Sequence, residues 1–327
     1  MNEQVLREHY KKRGFSAELT DEAVAAVRAL EERLHEQEET LESAGIPPIR
    51  AHIRSMIESG GVTLEALLAL GRYFYLTGRN DIYVYFTSLL GAVGVVESIA
   101  DRLTLLEGAE VAQELVGTLP KPPLGSEPAD YPAFTRALME RLEQQLPEST
   151  VCRALAGNHH RIPAEEFEDE RKLYLLSGSM EEYLRAAHKN QVEALKSHAD
   201  AGTVWFEQVI TQDVVDFIAA NQEIQSAVKV GDTLYTTKIP YDPARYLAET
   251  DDTMRRYYAC HCPFVREAIL RGEPEISGNW CYCSGGFVKY PYEVILGREL
   301  RVELLQSVLK GDPVCRFAIH LDSAEAE

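Results

Sequence analysis

Apolar positions recur at helical spacing through the first 116 residues. Val24, Val27, Leu30, Leu34 and Leu41 form one stripe, and Thr20 followed by Asp21 and Glu22 supplies a capping residue and a first turn suited to the helix dipole. The pattern predicts a helix with a solvated Glu/Arg/Gln face, stopped by AGIPP at 44–48. Further helices are predicted at about 49–58, 63–77, 81–98 and 100–116, broken at Gly60-Gly61 and Gly78. Tyr73, Tyr75, Tyr83 and Tyr85 read as core aromatics of these helices, with the lining of a ligand cavity as the other reading. The stretch GTLPKPPLGSEPADYP at 117–132 carries too much proline for a helix or a central strand and reads as an extended linker.

Beyond it, 133–146 and 163–176 read as helices. Ser179 with Glu182 makes a capping box for a helix to about His198. Thr211 caps the next, whose Val214, Val215, Phe217, Ile218 and Ile224 form a packing face. The period then changes to two: 228–239 reads as a hairpin turning at Gly231-Asp232, ended by PYDP. Cys262-Pro263 opens a short helix that Gly272 stops. A strand NWCYC, a glycine turn at Ser284-Gly285-Gly286, a helix near 290–296, and strands at 301–309 and 314–321 complete the chain. In the last strand Cys315, Phe317, Ile319 and Leu321 share the inner face, with Arg316 and His320 opposite. The fold class is α+β. An all-helical domain at 1–116 and the linker at 117–132 precede a helical and antiparallel-sheet domain at 133–327 with a cysteine-rich site.

Charge narrows the partners. With 33 Lys+Arg against 52 Asp+Glu in 327 residues, the net charge is -19, which offers neither nucleic acid nor an anionic membrane an electrostatic footprint. The N-terminus lacks the apolar core of a signal peptide, and the apolar run from Ile82 to Val96 falls short of the ~20 residues a bilayer requires. A cytoplasmic protein is expected. In that compartment clustered cysteines point to metal or catalysis rather than disulfides.

Four of the six cysteines lie in Tyr258–Phe287 as two Cys-x-Cys pairs, Cys260/Cys262 and Cys281/Cys283. In extended chain each pair aims both sulfurs one way, and the helix between them returns the chain to close a four-sulfur site. Zinc is the expected ion and iron the second choice, although common zinc frameworks space their cysteines Cys-x2–4-Cys. Reactive thiols and buried inert cysteines are the other two readings of the same residues. At most one of the adjacent His159 and His160 could join a metal set.

The motifs WFEQVIT (205–211), TKIPYDP (237–243), YYACHCPFVREAI (257–269), WCYCSGGF (280–287) and GDPVCRFAIHL (311–321) resemble an uncharacterised bacterial domain family. Its C-terminal part is similar to L-2-amino-thiazoline-4-carboxylate hydrolase and, more remotely, to the 4-vinyl reductase domain. The resemblance covers roughly 150–321. It implies a small α+β domain, often dimeric, around a ligand pocket. It also implies two functions. One is a hydrolase or lyase for a small sulfur- or nitrogen-containing compound, acting through a metal or a cysteine thiolate. Cys283, His261 and Glu207 are its expected catalytic residues, and Trp205, Lys238, Tyr241 and Cys315 its expected substrate contacts. Taken alone, the sequence places His261 away from the sulfur face, Glu207 on an apolar stretch and Lys238 on a strand. The other is a zinc-stabilised module that binds a small molecule without turning it over, with the helical domain as output or dimerisation part.

Overall fold

Ser16, not Thr20, starts the long N-terminal helix in the computed structural model, which describes residues 1–322. The Ser16 hydroxyl accepts from the Leu19 N–H at 3.1 Å, and Thr20 sits one turn inside, donating to the Ser16 carbonyl. Sequence pattern alone does not separate two hydroxyl residues one turn apart, and the more N-terminal one has the extended backbone a cap requires.

The chain divides into two compact units, residues 1–92 with 121–130, and residues 93–120 with Tyr131 onward. Unit 1 holds α1 (Glu3–Lys12), α2 (Ala17–His35), α3 (Ile46–Glu58), α4 (Leu64–Leu76) and α5 (Asn80–Leu90). Val24, Val27, Leu30 and Leu34 are buried as their spacing requires, but α2 ends at His35 and Leu41 reaches the core from the connecting turns. AGIPP, expected to stop that helix, opens α3 instead, since proline is tolerated in a first turn. Tyr73 and Tyr85 are buried, whereas Tyr75 is half exposed against Tyr83. Residues 121–130 pack within unit 1: the Tyr85 hydroxyl donates to Glu127 at 2.5 Å, and Arg50 Nε meets the same carboxylate at 2.9 Å.

The stretch expected as one helix at 81–98 breaks at 91–94, with Gly94 at φ +74°. Taken as one stretch, Asn80–Glu107 has the length and composition to cross a membrane, but the break at 91–94 divides it into two helices of 11 and 13 residues, and 44% of the apolar window is buried in the protein.

Unit 2 holds α6 (Val95–Glu107), α7 (Ala109–Ala112), α8 (Pro132–Gln145), α9 (Glu148–Leu155), α10 (Glu168–Leu176), α11 (Met180–Ala201), α12 (Gln212–Ala219), α13 (Pro243–Ala248), α14 (Asp252–Ala259), α15 (Arg266–Arg271) and α16 (Tyr282–Leu296). Its strands are β1 (Val204–Trp205), β2 (Gln208–Val209), β3 (Val228–Val230), β4 (Thr233–Thr237), β5 (Arg301–Gln306) and β6 (Arg316–His320). The first two form a hairpin, and the rest an antiparallel sheet in the order β3-β4-β6-β5. Leu234, Phe317, Ile319 and Val302 face one side by their register, where Tyr183 and Leu184 of α11 and Tyr292 and Ile295 of α16 cover them. The α+β class stands.

The Ser179 cap is in place, its hydroxyl accepting from Glu182 N–H at 3.2 Å, while the Glu182 carboxylate reaches back to Gly178 N–H at 2.8 Å. Three other expectations fail locally. NWCYC is no strand: Gly278–Cys281 is a 3₁₀ turn that runs into α16, so Cys281 and Cys283 sit on helical backbone. Ser284-Gly285-Gly286 is no turn either but the second half of the first turns of α16. A Cβ on Gly285 would come 3.2 Å from Val302, and one on Gly286 only 2.2 Å from the Gly157 carbonyl oxygen. The glycines are there to let the helix lie against the sheet and the 156–157 backbone. The strand expected at 301–309 ends at Gln306 and gives way to a 3₁₀ turn, Val308–Lys310.

Candidate functional site

The hairpin β1/β2 turns through Phe206 and Glu207 alone. Phe206 takes a left-handed backbone, φ +50°, which a bulky residue rarely adopts and which clusters at functional sites. The result separates the two side chains. Phe206 is 68% exposed, while Glu207 turns inward to His261.

His261 follows Cys260 at the end of α14, on chain held to the segment after β4 by the Tyr241 N–H to Ala259 carbonyl and Asp242 N–H to Tyr258 carbonyl bonds. Its Nε2 lies 2.6 Å from the Ile239 carbonyl oxygen, an acceptor only, so Nε2 carries the hydrogen and Nδ1 faces Glu207 Oε1 at 3.7 Å. Lys238, one residue before Ile239, brings its charge to the same place. Its N–H donates to the Cys315 carbonyl at 2.9 Å, and its Nζ sits 4.9 Å from the centre of the Phe287 ring. His160 meets Phe287 edge-on at 5.5 Å, and Tyr241 meets His261 edge-on at 5.5 Å. Arg266 stacks over Tyr241 at 4.3 Å and over Tyr257 at 5.0 Å.

Burial and charge set the protonation of this group. Burial alone would raise the Glu207 carboxyl, but the facing His261 ring and the Lys238 charge pull it below its ordinary range. Burial, and then the Lys238 charge, lower His261, with Glu207 acting in the opposite sense. Surrounding protein and then Lys238 lower His160 to about 4, although more than a third of the residue remains open to solvent.

The thiols lie beside these groups. Cys260, Cys262, Cys281 and Cys315 are all free and near enough to influence one another's charge, and Cys283 is within reach of Cys262 and Lys238. Burial pushes every one of them up, Cys283 to about 12 and Cys281 well above the ordinary thiol value. Their surroundings differ. Trp280, fully buried against Phe264, donates its indole N–H to Cys262 Sγ at 3.2 Å, and the backbone N–H groups of Phe264 and Val265 also favour the Cys262 anion. The Ser307 hydroxyl donates to Cys281 Sγ at 3.0 Å. Among the described residues, no three His, Cys, Asp or Glu side chains are arranged to hold a metal ion.

The structure thus brings Glu207, His261, Lys238, Tyr241, Cys260, Cys262, Cys281, Cys283 and Cys315 to one end of unit 2. Trp205 instead packs with Val192, Ala199 and Phe217 against the α11/α12 core. His159 turns away, its Nδ1 3.1 Å from the Ser98 hydroxyl and its Nε2 2.9 Å from the Ala154 carbonyl. Trp280, Phe287 and Ser307 enter the site without having been singled out in the sequence. Only Trp280, directly before Cys281, carried a signal that could have found it.

Residues 241–325 match a family of unknown function (DUF6144). No curated protein and no solved structure matches the chain.

Proposed function

We propose that unit 2 is a cysteine-dependent hydrolase or lyase for a small sulfur- or nitrogen-containing compound. The observation that carries this is the approach of two acceptors, Glu207 Oε1 and His261 Nδ1, at 3.7 Å beside five free thiols and Lys238. With His261 neutral, which burial favours, its Nδ1 and Glu207 Oε1 are both acceptors and both can receive hydrogens from one amidine-like N–H group; a protonated ring would donate to Glu207 instead. Lys238 then suits a ligand carboxylate. The substrate class itself is drawn from the motif resemblance to L-2-amino-thiazoline-4-carboxylate hydrolase, while the family matched at 241–325 has no known function, and we take the protein as cytoplasmic.

A thiol meeting such a carbon would add across its C=N bond. The S–C bond forms, the π pair moves to nitrogen, and nitrogen takes the proton that sulfur loses. His261 and Glu207, on the N–H side, would pass a proton to the departing nitrogen or sulfur as the ligand's own C–N or C–S bond breaks, and water then adds to the enzyme-bound carbon and releases the cysteine as its thiol. The test is a turnover screen of thiazoline carboxylates and simple amidines, read by released thiol or ammonia. Turnover by the native chain and its loss in Glu207→Gln are expected. Full turnover in Glu207→Gln would overturn the assignment.

The second reading, a binding module without turnover and stabilised by zinc, draws on one observation: burial raises all five thiols and so works against a thiolate nucleophile, although a zinc site would have to overcome the same rise to hold thiolates. Saturable binding of the same compounds, with no product and with one zinc per chain, would select it.

A further inference from the structure

We propose that Cys262 is the reacting sulfur of this site, with the Trp280 indole N–H as the donor that stabilises its charge. The assignment deepens the cysteine-dependent reading and rests on it. It departs from Cys283, whose expected position in a flexible turn is helical instead.

Three observations separate Cys262 from its neighbours. First, access: Cys262 is half-buried, whereas Cys260, Cys281 and Cys283 are 4%, 7% and 7% exposed. Second, donors: Trp280 Nε1 and the turn amides of Phe264 and Val265 point at its sulfur, and hydrogen bonds to a charged acceptor are the strong ones. Cys283 has the Lys238 charge alone, and Cys315, also half-buried, has the Val308 amide in addition to Lys238. Third, rigidity: Trp280 is locked by full burial against Phe264, and Phe264 is held at Thr135, whose hydroxyl donates to its carbonyl at 3.0 Å. A donor fixed in advance costs no reorganisation when charge appears on sulfur. Arg266, whose backbone N–H meets the Cys262 carbonyl at 3.0 Å, fixes the same turn from the other end.

The chemistry is the addition described above, with Cys262 Sγ forming the new bond to carbon and the Trp280 N–H holding the sulfur before that bond closes. Of the cluster, Cys260, Cys281 and Cys283 are buried, so an approaching compound meets Cys262 or Cys315 first, and the donors at Cys262 separate those two.

The experiment is timed alkylation of the native full-length chain with iodoacetamide, followed by peptide mass mapping of all six cysteines. Cys262 is expected to react about tenfold faster than any other member of the cluster, the margin that donors to a charged sulfur supply. Trp280→Phe is expected to slow Cys262 about tenfold and leave the rate at Cys152 unchanged. Should that variant lose its fold, Lys238→Met carries the test. It removes a charge that also acts on Cys283 and Cys315, so the order of reactivity is expected to hold while all three rates fall. Cys315 or Cys283 reacting first, or a folded Trp280→Phe with an unchanged Cys262 rate, would overturn the assignment. Failure of the functional reading shows elsewhere, in the Glu207→Gln turnover test, and does not alter the alkylation order.

Discussion

Glu207 reaches His261 only because Phe206, its neighbour in a two-residue turn, takes the left-handed backbone at φ +50°. A turn of this length favours glycine or asparagine at such a position, so an aromatic there is strained by about 1–3 kcal/mol. Phe206→Gly removes that strain while the exposed ring contributes little burial. Its melting temperature is expected to stay level or rise. Glu207 loses its fixed aim at the same time, so ligand affinity is expected to fall. A melting curve and a binding isotherm on the same sample check both halves, and a rise in affinity would show that the turn does not aim Glu207.

Gly286 tests the close approach of α16 to the 156–157 backbone. A methyl group there would lie 2.2 Å from a carbonyl oxygen that belongs to backbone and has no rotamer to escape into. Gly286→Ala is expected to destabilise unit 2 by about 3 kcal/mol, the upper end of overpacking costs. Gly285→Ala meets the Val302 and Phe317 side chains at 3.2 and 3.4 Å, which can shift by tenths of an ångström, and is expected to cost about 1 kcal/mol. Urea unfolding of the two variants gives the comparison; equal losses would place the tight contact elsewhere.

Much of this architecture was legible because it rests on local rules. The Ser179 cap, the 231–232 turn, the inward set Phe317 and Ile319, and the helical stripe of Val24 to Leu34 follow from spacing and capping chemistry alone. What failed was decided by tertiary contact. Gly285-Gly286 reads as a turn by composition, and only the proximity of Val302 and Gly157 explains glycine inside a helix. Cys281 and Cys283 were legible as chemistry but not as geometry, because strand and 3₁₀-to-helix backbone aim i and i+2 side chains differently. Glu207 and His261 lie far apart in sequence, and no periodicity announces their meeting. The 117–132 stretch shows the same limit: its prolines exclude regular structure, but they do not show that Leu124 packs on the unit 1 core.

Unit 2 takes α6 from before that proline-rich stretch. Ser98 meets His159, Asp101 pairs with Arg161, and Arg102 pairs with Glu299. A fragment beginning at residue 93 is therefore expected to melt as one cooperative unit. A fragment beginning at 133 lacks those partners, leaves the α6-facing side of α9 uncovered and is expected to be less stable or to aggregate. Calorimetry of the two fragments decides; equal melting temperatures would remove α6 from the unit.

Metal content separates the two functional readings without a substrate. For a cysteine-dependent enzyme, protein purified under reducing, oxygen-free conditions is expected to hold less than a tenth of a zinc or iron per chain, about one order below stoichiometric loading. All six thiols should titrate on unfolding. One zinc per chain, with thiols that titrate only after chelation, would favour the zinc-stabilised module instead.

His159 gives the pH dependence a sign. Burial lowers its ring to about 4 in the folded chain, against about 6.5 when unfolded. Between those values the unfolded chain binds the extra proton, so stability falls as pH drops. The contribution is complete above about pH 6.5 and lost progressively toward pH 4, by about 3 kcal/mol for a shift of this size. Burial is what keeps the proton off the folded ring: the residue is 2% exposed, and this outweighs the Ala154 carbonyl, 2.9 Å from Nε2, which by itself would favour the charged ring. Denaturant unfolding of unit 2 at pH 7 and pH 4.5 measures the loss. In His159→Gln, which cannot titrate, the difference between the two pH values is expected to shrink by about 2 kcal/mol. An undiminished difference would assign the acid sensitivity to another group.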